Sequence, residues 1–189
     1  MQIKIRNAEI ASSLGDITKW KGDIIVNASN SGLYGGGGVD GAIHRAGGPQ
    51  IAEECAVIRQ KQGGCLPGEA AFTTAGQLPL QGIVHTVGPI WKGGNAGEKD
   101  ILAKCYVSSL ELAIMHGAQS VAFPNISTGI YNFPKTLACE IAVATTVRYV
   151  QERGDAFMTL KRIEFVCFEP DNAALYEAEL GRYPGDPQR

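Results

Sequence analysis

The chain has no long apolar run: nothing in it approaches the roughly 18 uncharged residues that cross a bilayer. Its opening stretch, MQIKIRNAEI, alternates apolar and polar residues where a secretory signal would carry an apolar core, so a soluble, cytoplasmic protein is expected. It also lacks blocks of like charge. Lys and Arg number 17 against 19 Asp and Glu, a formal net charge of -2, which leaves no electrostatic footprint for nucleic acid or for an anionic membrane. Cysteines are few and odd in number, and Cys55, Cys65, Cys105, Cys139 and Cys167 never form C-x-x-C. That spacing argues against a disulfide framework and a zinc site, and no other cluster of metal ligands is apparent, so buried reduced thiols are expected and no metal. The partner left by these exclusions is a small molecule, free or attached to a protein.

What the chain has in quantity is glycine, 24 of 189 residues, a length that suits one domain. QIKIRNAEI alternates as a half-buried strand. DIIVNA, GIVHTVG, SVAFPN and RIEFVCFE are short apolar runs typical of strands covered on both faces, and GEAAFTTA is a further strand candidate. Helical periodicity covers 39–47, 49–62, 98–117, 135–153 and 171–180, with Leu102, Tyr106, Leu110 and Ile114 forming one stripe. Strands alternating with helices predict an α/β fold whose mixed, mostly parallel sheet is sandwiched by helices. No repeat or linker divides the chain, so one domain is expected over 1–181, with a polar tail at 182–189. Ligands of such sheets sit beyond the carboxyl ends of the strands, and the loops at 27–38, 88–97, 125–134 and 168–172 all follow strands.

The first of these loops leads into LYGGGGVDGAIHRAGG, residues 33–48, where Gly36, Gly38 and Gly41 match the G-x-G-x-x-G of dinucleotide-binding loops. That function needs a second parallel strand ending in a ribose-binding acid. Residues 49–64 read instead as a helix and a turn, which places Glu53 and Glu54 inside a helix. Asp40, moreover, stands inside the motif, where its charge opposes a pyrophosphate over the same helix start. The fingerprint of a pyridine-nucleotide oxidoreductase therefore fails on both counts. Four successive glycines, Gly35, Gly36, Gly37 and Gly38, still let backbone N–H groups approach an anion closely and adopt the positive φ that a concave nest requires. A helix starting near Val39 puts Asp40 in its first turn, where the dipole favours the carboxylate, and His44 one turn later on the same face. Their bland alternative is a helix-start acid and a satisfied surface histidine.

A second anion loop is NISTGIYNFP, residues 125–134, where Ser127, Thr128 and Gly129 supply hydroxyl and backbone donors. It faces the glycine loop if the two strands are neighbours, and two such loops suit a diphosphate. Tyr131 and Phe133 are candidates to wall a sugar or a base, or to serve in packing. Neither loop carries the lysine of a P-loop.

Taken together, GDIT at 15–18, IVNASN at 25–30, LYGGGGVDGAIHRAGG at 33–48, GEAAFTTAGQLPLQGIVHTVGPIW at 68–91 and SVAFPNISTGIYNFP at 120–134 resemble the macrodomain family, in its MacroD-like, YmdB-like hydrolase branch. RIEFVCFEPDNAALYEAEL extends the likeness to residue 180. The resemblance implies a three-layer α/β/α fold that binds ADP-ribose and hydrolyses its esters, including O-acetyl-ADP-ribose and ADP-ribosylated acidic side chains, without a cofactor. By motif, Asp16 would meet the adenine amino group with Ile17 beside the ring, and Phe168 would stack on adenine. Gly35 to Val39, with Ser127, Thr128, Gly129, Ile130 and Tyr131, would enclose the diphosphate and distal ribose. Asn30, Asp40 and His44 match the catalytic end, where Asp40 acts as base toward a water or orients the ribose while a substrate phosphate activates the water. Partners implied are ADP-ribose, its esters and mono-ADP-ribosylated proteins. Ser29, Asn125, Asn132 and Phe133 depart from the common pattern and bear on the shape of the distal-ribose wall. The competing function is a non-catalytic reader of ADP-ribose, which would need the loops and Phe168 but not Asp40.

Overall fold

Residues rich in Ile and Val between turn signals form the strands of the computed structural model, which describes residues 1–154 and 159–185. In chain order they are β1 (Gln2–Ile5), β2 (Ala8–Leu14), β3 (Ile24–Ala28), β4 (Ala70–Thr73), β5 (Gly82–Thr86), β6 (Ser120–Phe123) and β7 (Arg162–Cys167). The helices are α1 (Gly38–Gly47), α2 (Pro49–Gln62), α3 (Glu98–Met115), α4 (Lys135–Arg153) and α5 (Pro170–Leu180). One seven-stranded sheet runs β1-β2-β7-β6-β3-β5-β4. Its five inner strands are mutually parallel, and the edge strands β1 and β4 are antiparallel to their neighbours. This is the expected mixed, mostly parallel sheet.

One expectation needs correction. The alternating stretch QIKIRNAEI is not one strand but a hairpin, with Ile5 paired to Ala8 and Arg6 at φ 51 in the turn. Alternation continues in phase through a two-residue turn, so the pattern does not register the reversal.

The two-residue period of the strands divides the core in two. Ile24, Val26, Val84, Val121, Phe123, Ile163 and Phe165 face α3, α4 and α5, whereas Ile25, Ile83, Ala122 and Val166 face α1 and α2 through Ile43, Ile51 and Cys55. Leu102, Tyr106 and Leu110 are buried in the larger layer, as their stripe predicts. All five cysteines are buried and free. Among the described residues no helix is long and apolar enough to cross a membrane. Of the expected tail, residues 186–189 lie outside the described residues, and Tyr183 packs on the core.

From β3 the chain passes to β4 and β5 on one side, then returns to β6 on the other. The β3/β6 boundary is thus the switch point where a ligand cleft opens in folds of this kind.

Candidate active site

At the carboxyl end of β3 the chain turns sharply, and Asn30 clasps the turn. Its Oδ1 accepts from the Tyr34 backbone N–H at 2.9 Å, and its Nδ2 donates to the Tyr34 carbonyl at 2.5 Å. An amide has two donors and two acceptor positions, so one of each is left for a ligand. Arg59 of α2 ties back the loop by donating to the Gly32 and Leu33 carbonyls, with its guanidinium 4.2 Å from the Tyr34 ring centroid.

Tyr34 to Gly37 then run exposed into α1, whose N-cap, Gly37, makes no side-chain capping bond. The first N–H groups of that helix are therefore open to an anion. The freedom of glycine is used more narrowly than the sequence suggests. Of the four consecutive glycines Gly38 alone has positive φ, at 57°, while Gly41 matters for space, since a Cβ there would lie 2.4 Å from the Gly36 carbonyl oxygen.

Asp40 sits behind this loop, 5% exposed. Its Oδ1 accepts from Asn27 Nδ2 at 2.8 Å and lies 3.4 Å from His44 Nε2, too poorly aligned for a hydrogen bond. Its Oδ2 faces Gly36, 3.2 Å from where a Cβ would stand, and Asn30 Nδ2 is 3.8 Å from the same point. Asn30 and Asp40 thus converge on one point beside Gly36. Burial raises the Asp40 pKa against the opposing effects of Asn27, His44 and the Gly36 backbone. The helix start was expected to favour the carboxylate, but removal from water outweighs it. His44 packs beneath Gly35, with Cγ 3.4 Å from a Cβ built there.

The second loop lies alongside because β6 pairs with β3. Ser127 is held at φ 64 and its buried Oγ has no protein partner, an expensive arrangement unless something else occupies it. Thr128 is half-buried, Gly129 is exposed, and Ile130 is 89% exposed. Tyr131 fixes the neighbouring loop by accepting the Trp91 N–H at 2.9 Å. Phe133 is not at the cleft: it is buried and packs on Trp91 at 4.7 Å between ring centroids, so of its two candidate roles packing is the one observed.

Farther along the same sheet end, Asp16 caps a short 3-10 turn by accepting the Thr18 N–H and hydroxyl at 2.9 and 2.7 Å, both on Oδ1. Ile17 is buried beneath it. The Gly15 N–H donates to the Cys167 carbonyl at 2.8 Å, which seats this turn beside Phe168, an aromatic side chain 78% exposed. Asp16 follows β2, Phe168 follows β7, Ser127 follows β6 and Asn30 follows β3. Those strands are consecutive in the sheet, so the groups line a cleft spanning three strand spacings, about 14 Å.

Sequence inspection missed Asn27, His85 and Thr73. All three are buried, and Asn27 links Asp40 to the His85 ring. The available signal was a polar residue in the middle of an otherwise apolar strand.

The family model for the Macro domain matches residues 26–142. The chain belongs to the macrodomain family. This macrodomain is 51% identical over 169 residues to the O-acetyl-ADP-ribose deacetylase of Cronobacter turicensis, covering 89% of this chain and 94% of that protein. The Oceanobacillus iheyensis macrodomain with ADP superposes with a TM-score of 0.89 at 38% identity, covering 96% and 95% of the two chains. The Trypanosoma brucei macrodomain in complex with ADP-ribose does so with a TM-score of 0.80 at 41% identity, over 89% of this chain and 68% of that one. The seven-stranded sheet with helices on both faces is the macrodomain fold.

Proposed function

We propose that this macrodomain binds ADP-ribose and hydrolyses its esters: O-acetyl-ADP-ribose, and mono-ADP-ribose attached to acidic side chains of cytoplasmic proteins. The carrying observation is the convergence of Asn30 and Asp40 on one point beside Gly36, at one end of the cleft that has Asp16 and Phe168 at the other. Adenine stacks on Phe168 with its amino group toward Asp16. The diphosphate lies between the uncapped start of α1 and the Ser127–Tyr131 loop, where its oxygens take up backbone N–H groups and the Ser127 hydroxyl. The distal ribose then reaches Asn30 and Oδ2 of Asp40.

Water adds across the ester, releasing ADP-ribose and a carboxylic acid. Asp40, its proton affinity increased by burial, is a stronger base toward that water than an exposed carboxylate. Asn30 holds a ribose hydroxyl with its remaining donor and acceptor, and His44 packs the carboxylate from behind. The deacetylase relative from Cronobacter turicensis and the ligands of the two solved neighbours support the same substrate class. The domain over 1–181 works as one unit, because the site draws on β2 through β7.

A calorimetric titration with ADP-ribose followed by turnover on the same sample tests this. Binding, together with release of acetate from O-acetyl-ADP-ribose and of ADP-ribose from a glutamate-linked substrate, is expected, with turnover abolished and binding kept in Asp40→Ala. Binding without product from either substrate would leave a reader of ADP-ribose in place of a hydrolase.

A further inference from the structure

Behind Asp40 lies a line of hydrogen bonds crossing three strands. The strand period puts Asn27 of β3, His85 of β5 and Thr73 of β4 on the sheet face covered by α1 and α2, with Asn27 and His85 paired in register. Asn27 Nδ2 is 2.8 Å from Asp40 Oδ1 and 3.1 Å from His85 Nδ1. His85 Nε2 is 2.8 Å from Thr73 Oγ1, and the Thr73 hydroxyl donates to the Thr74 carbonyl at 2.9 Å.

With Asp40 ionised, one arrangement of hydrogens satisfies these contacts, and it leaves the buried Asn27 Oδ1 without a partner among the described residues. A carboxylate accepts, so Asn27 must present its nitrogen to Asp40, and that nitrogen's second hydrogen then points at His85 Nδ1. Nδ1 must be bare, and the ring hydrogen sits on Nε2. Because the Thr73 hydrogen is committed to a backbone carbonyl, its oxygen is free to receive the Nε2–H.

We propose that His85 is a positioning residue for Asp40: Thr73 holds its ring as the Nε2–H tautomer, and the bare Nδ1 locks the Asn27 amide so that its other N–H grips Oδ1 and leaves Oδ2 toward Gly36. This rests on the reading of Asp40 as the group that meets substrate. Burial, with a smaller contribution from His44, pushes the His85 pKa down to about 3, so the ring does not gain the second hydrogen that would turn Asn27 away.

Thr73→Val tests it, since it keeps the volume and removes the oxygen that selects the tautomer. Losing one neutral hydrogen bond from the line should lower kcat roughly threefold to tenfold, with the Kd for ADP-ribose unchanged and Thr73→Ser close to wild type. The acid limb of the kcat–pH profile should move to higher pH, because the Asn27 N–H favours ionised Asp40. Of the other titratable groups around Asp40, His85 on β5 is the one this change acts on, and His44 on α1 and Cys55 on α2 keep their surroundings. Unaltered kcat and limb would overturn the proposal.

Long-range proton–nitrogen correlation spectra of histidine-labelled protein read the tautomer directly. Nε2–H is expected across roughly pH 5 to 8, and a hydrogen on Nδ1 overturns the inference whatever the turnover. If the wild type shows no turnover, the hydrolase reading fails separately. The Asp40 carboxyl titration by carbon NMR then decides the positioning role, moving upward in Thr73→Val if the proposal holds and staying put if it does not. Should Thr73→Val fail to fold, His85→Asn, whose oxygen can stand in for Nδ1, is expected to keep more kcat than His85→Gln. Equal losses overturn it.

Discussion

Phe168→Ala is the perturbation with the cleanest energetics, because the side chain is 78% exposed and its removal opens no cavity in the core. Folding stability should change by no more than about 0.5 kcal/mol, the range of surface substitutions. Binding should change far more. Stacking of a base on an aromatic ring is worth roughly 1–3 kcal/mol by alanine substitution, so the Kd for ADP-ribose should rise about fivefold to 150-fold. The loss should be confined to ligands that carry the base: ribose 5-diphosphate, which keeps the diphosphate and distal ribose but lacks adenosine, should bind the variant as it binds the wild type. Since Phe168 follows β7 and Asn30 follows β3, two strand spacings or about 9.5 Å apart, kcat should hold while KM rises with Kd. Calorimetry with both ligands and a steady-state assay measure all three. An unchanged Kd for ADP-ribose, or an equal loss for the ligand without adenine, would refute the placement of adenine at this end and with it the direction of the ligand in the cleft.

Asp40→Asn should lower kcat by roughly 10²–10⁴-fold, and it should also alter how stability depends on pH. The folded pKa of Asp40 is raised, so both states are protonated at low pH, and as pH climbs through the ordinary carboxylate range the unfolded chain ionises first and stability falls. The loss is complete above the folded value; the stability of Asp40→Asn relative to wild type should therefore grow with pH across that window, and a difference that is flat in pH in chemical denaturation would contradict the burial argument. Gly41→Ala places a Cβ 2.4 Å from the Gly36 carbonyl oxygen, so the loop must shift and ADP-ribose affinity should drop at least tenfold, checked by calorimetry. Asn30→Ala removes the clasp on Tyr34 as well as a ribose contact, and both KM and kcat should worsen, with faster amide exchange across residues 31–37.

Much of this architecture was legible in the sequence because the signals are local. Apolar runs bounded by glycine and proline marked β3, β5, β6 and β7, and the stripe from Leu102 to Ile114 marked α3. The missed turn at Arg6 and Asn7 shows the limit of periodicity, which is blind to a reversal that preserves phase. At the site, Asp40 and His44 were adjacent by helical spacing alone, whereas the second use of Asn30, as a clasp on its own loop, depends on how the chain bends back at Leu33. Phe133 looked as suitable for a sugar wall as Tyr131, and only the position of Trp91 separates them.

From the residues themselves came the chemistry of short segments: a glycine-rich entry to a helix, a carboxylate in its first turn, hydroxyls and glycine in a second loop, and the motifs shared with macrodomains. Tertiary structure alone decided that β3 and β6 are neighbours, so that two loops some 90 positions apart form one cleft. It also set the burial that raises the Asp40 pKa and the register that joins Thr73, His85 and Asn27 into one line. The reason is physical: hydrogen-bonding capacity and backbone preference belong to a residue and its near neighbours, but desolvation and distance belong to the packing of strands that meet only when the sheet closes.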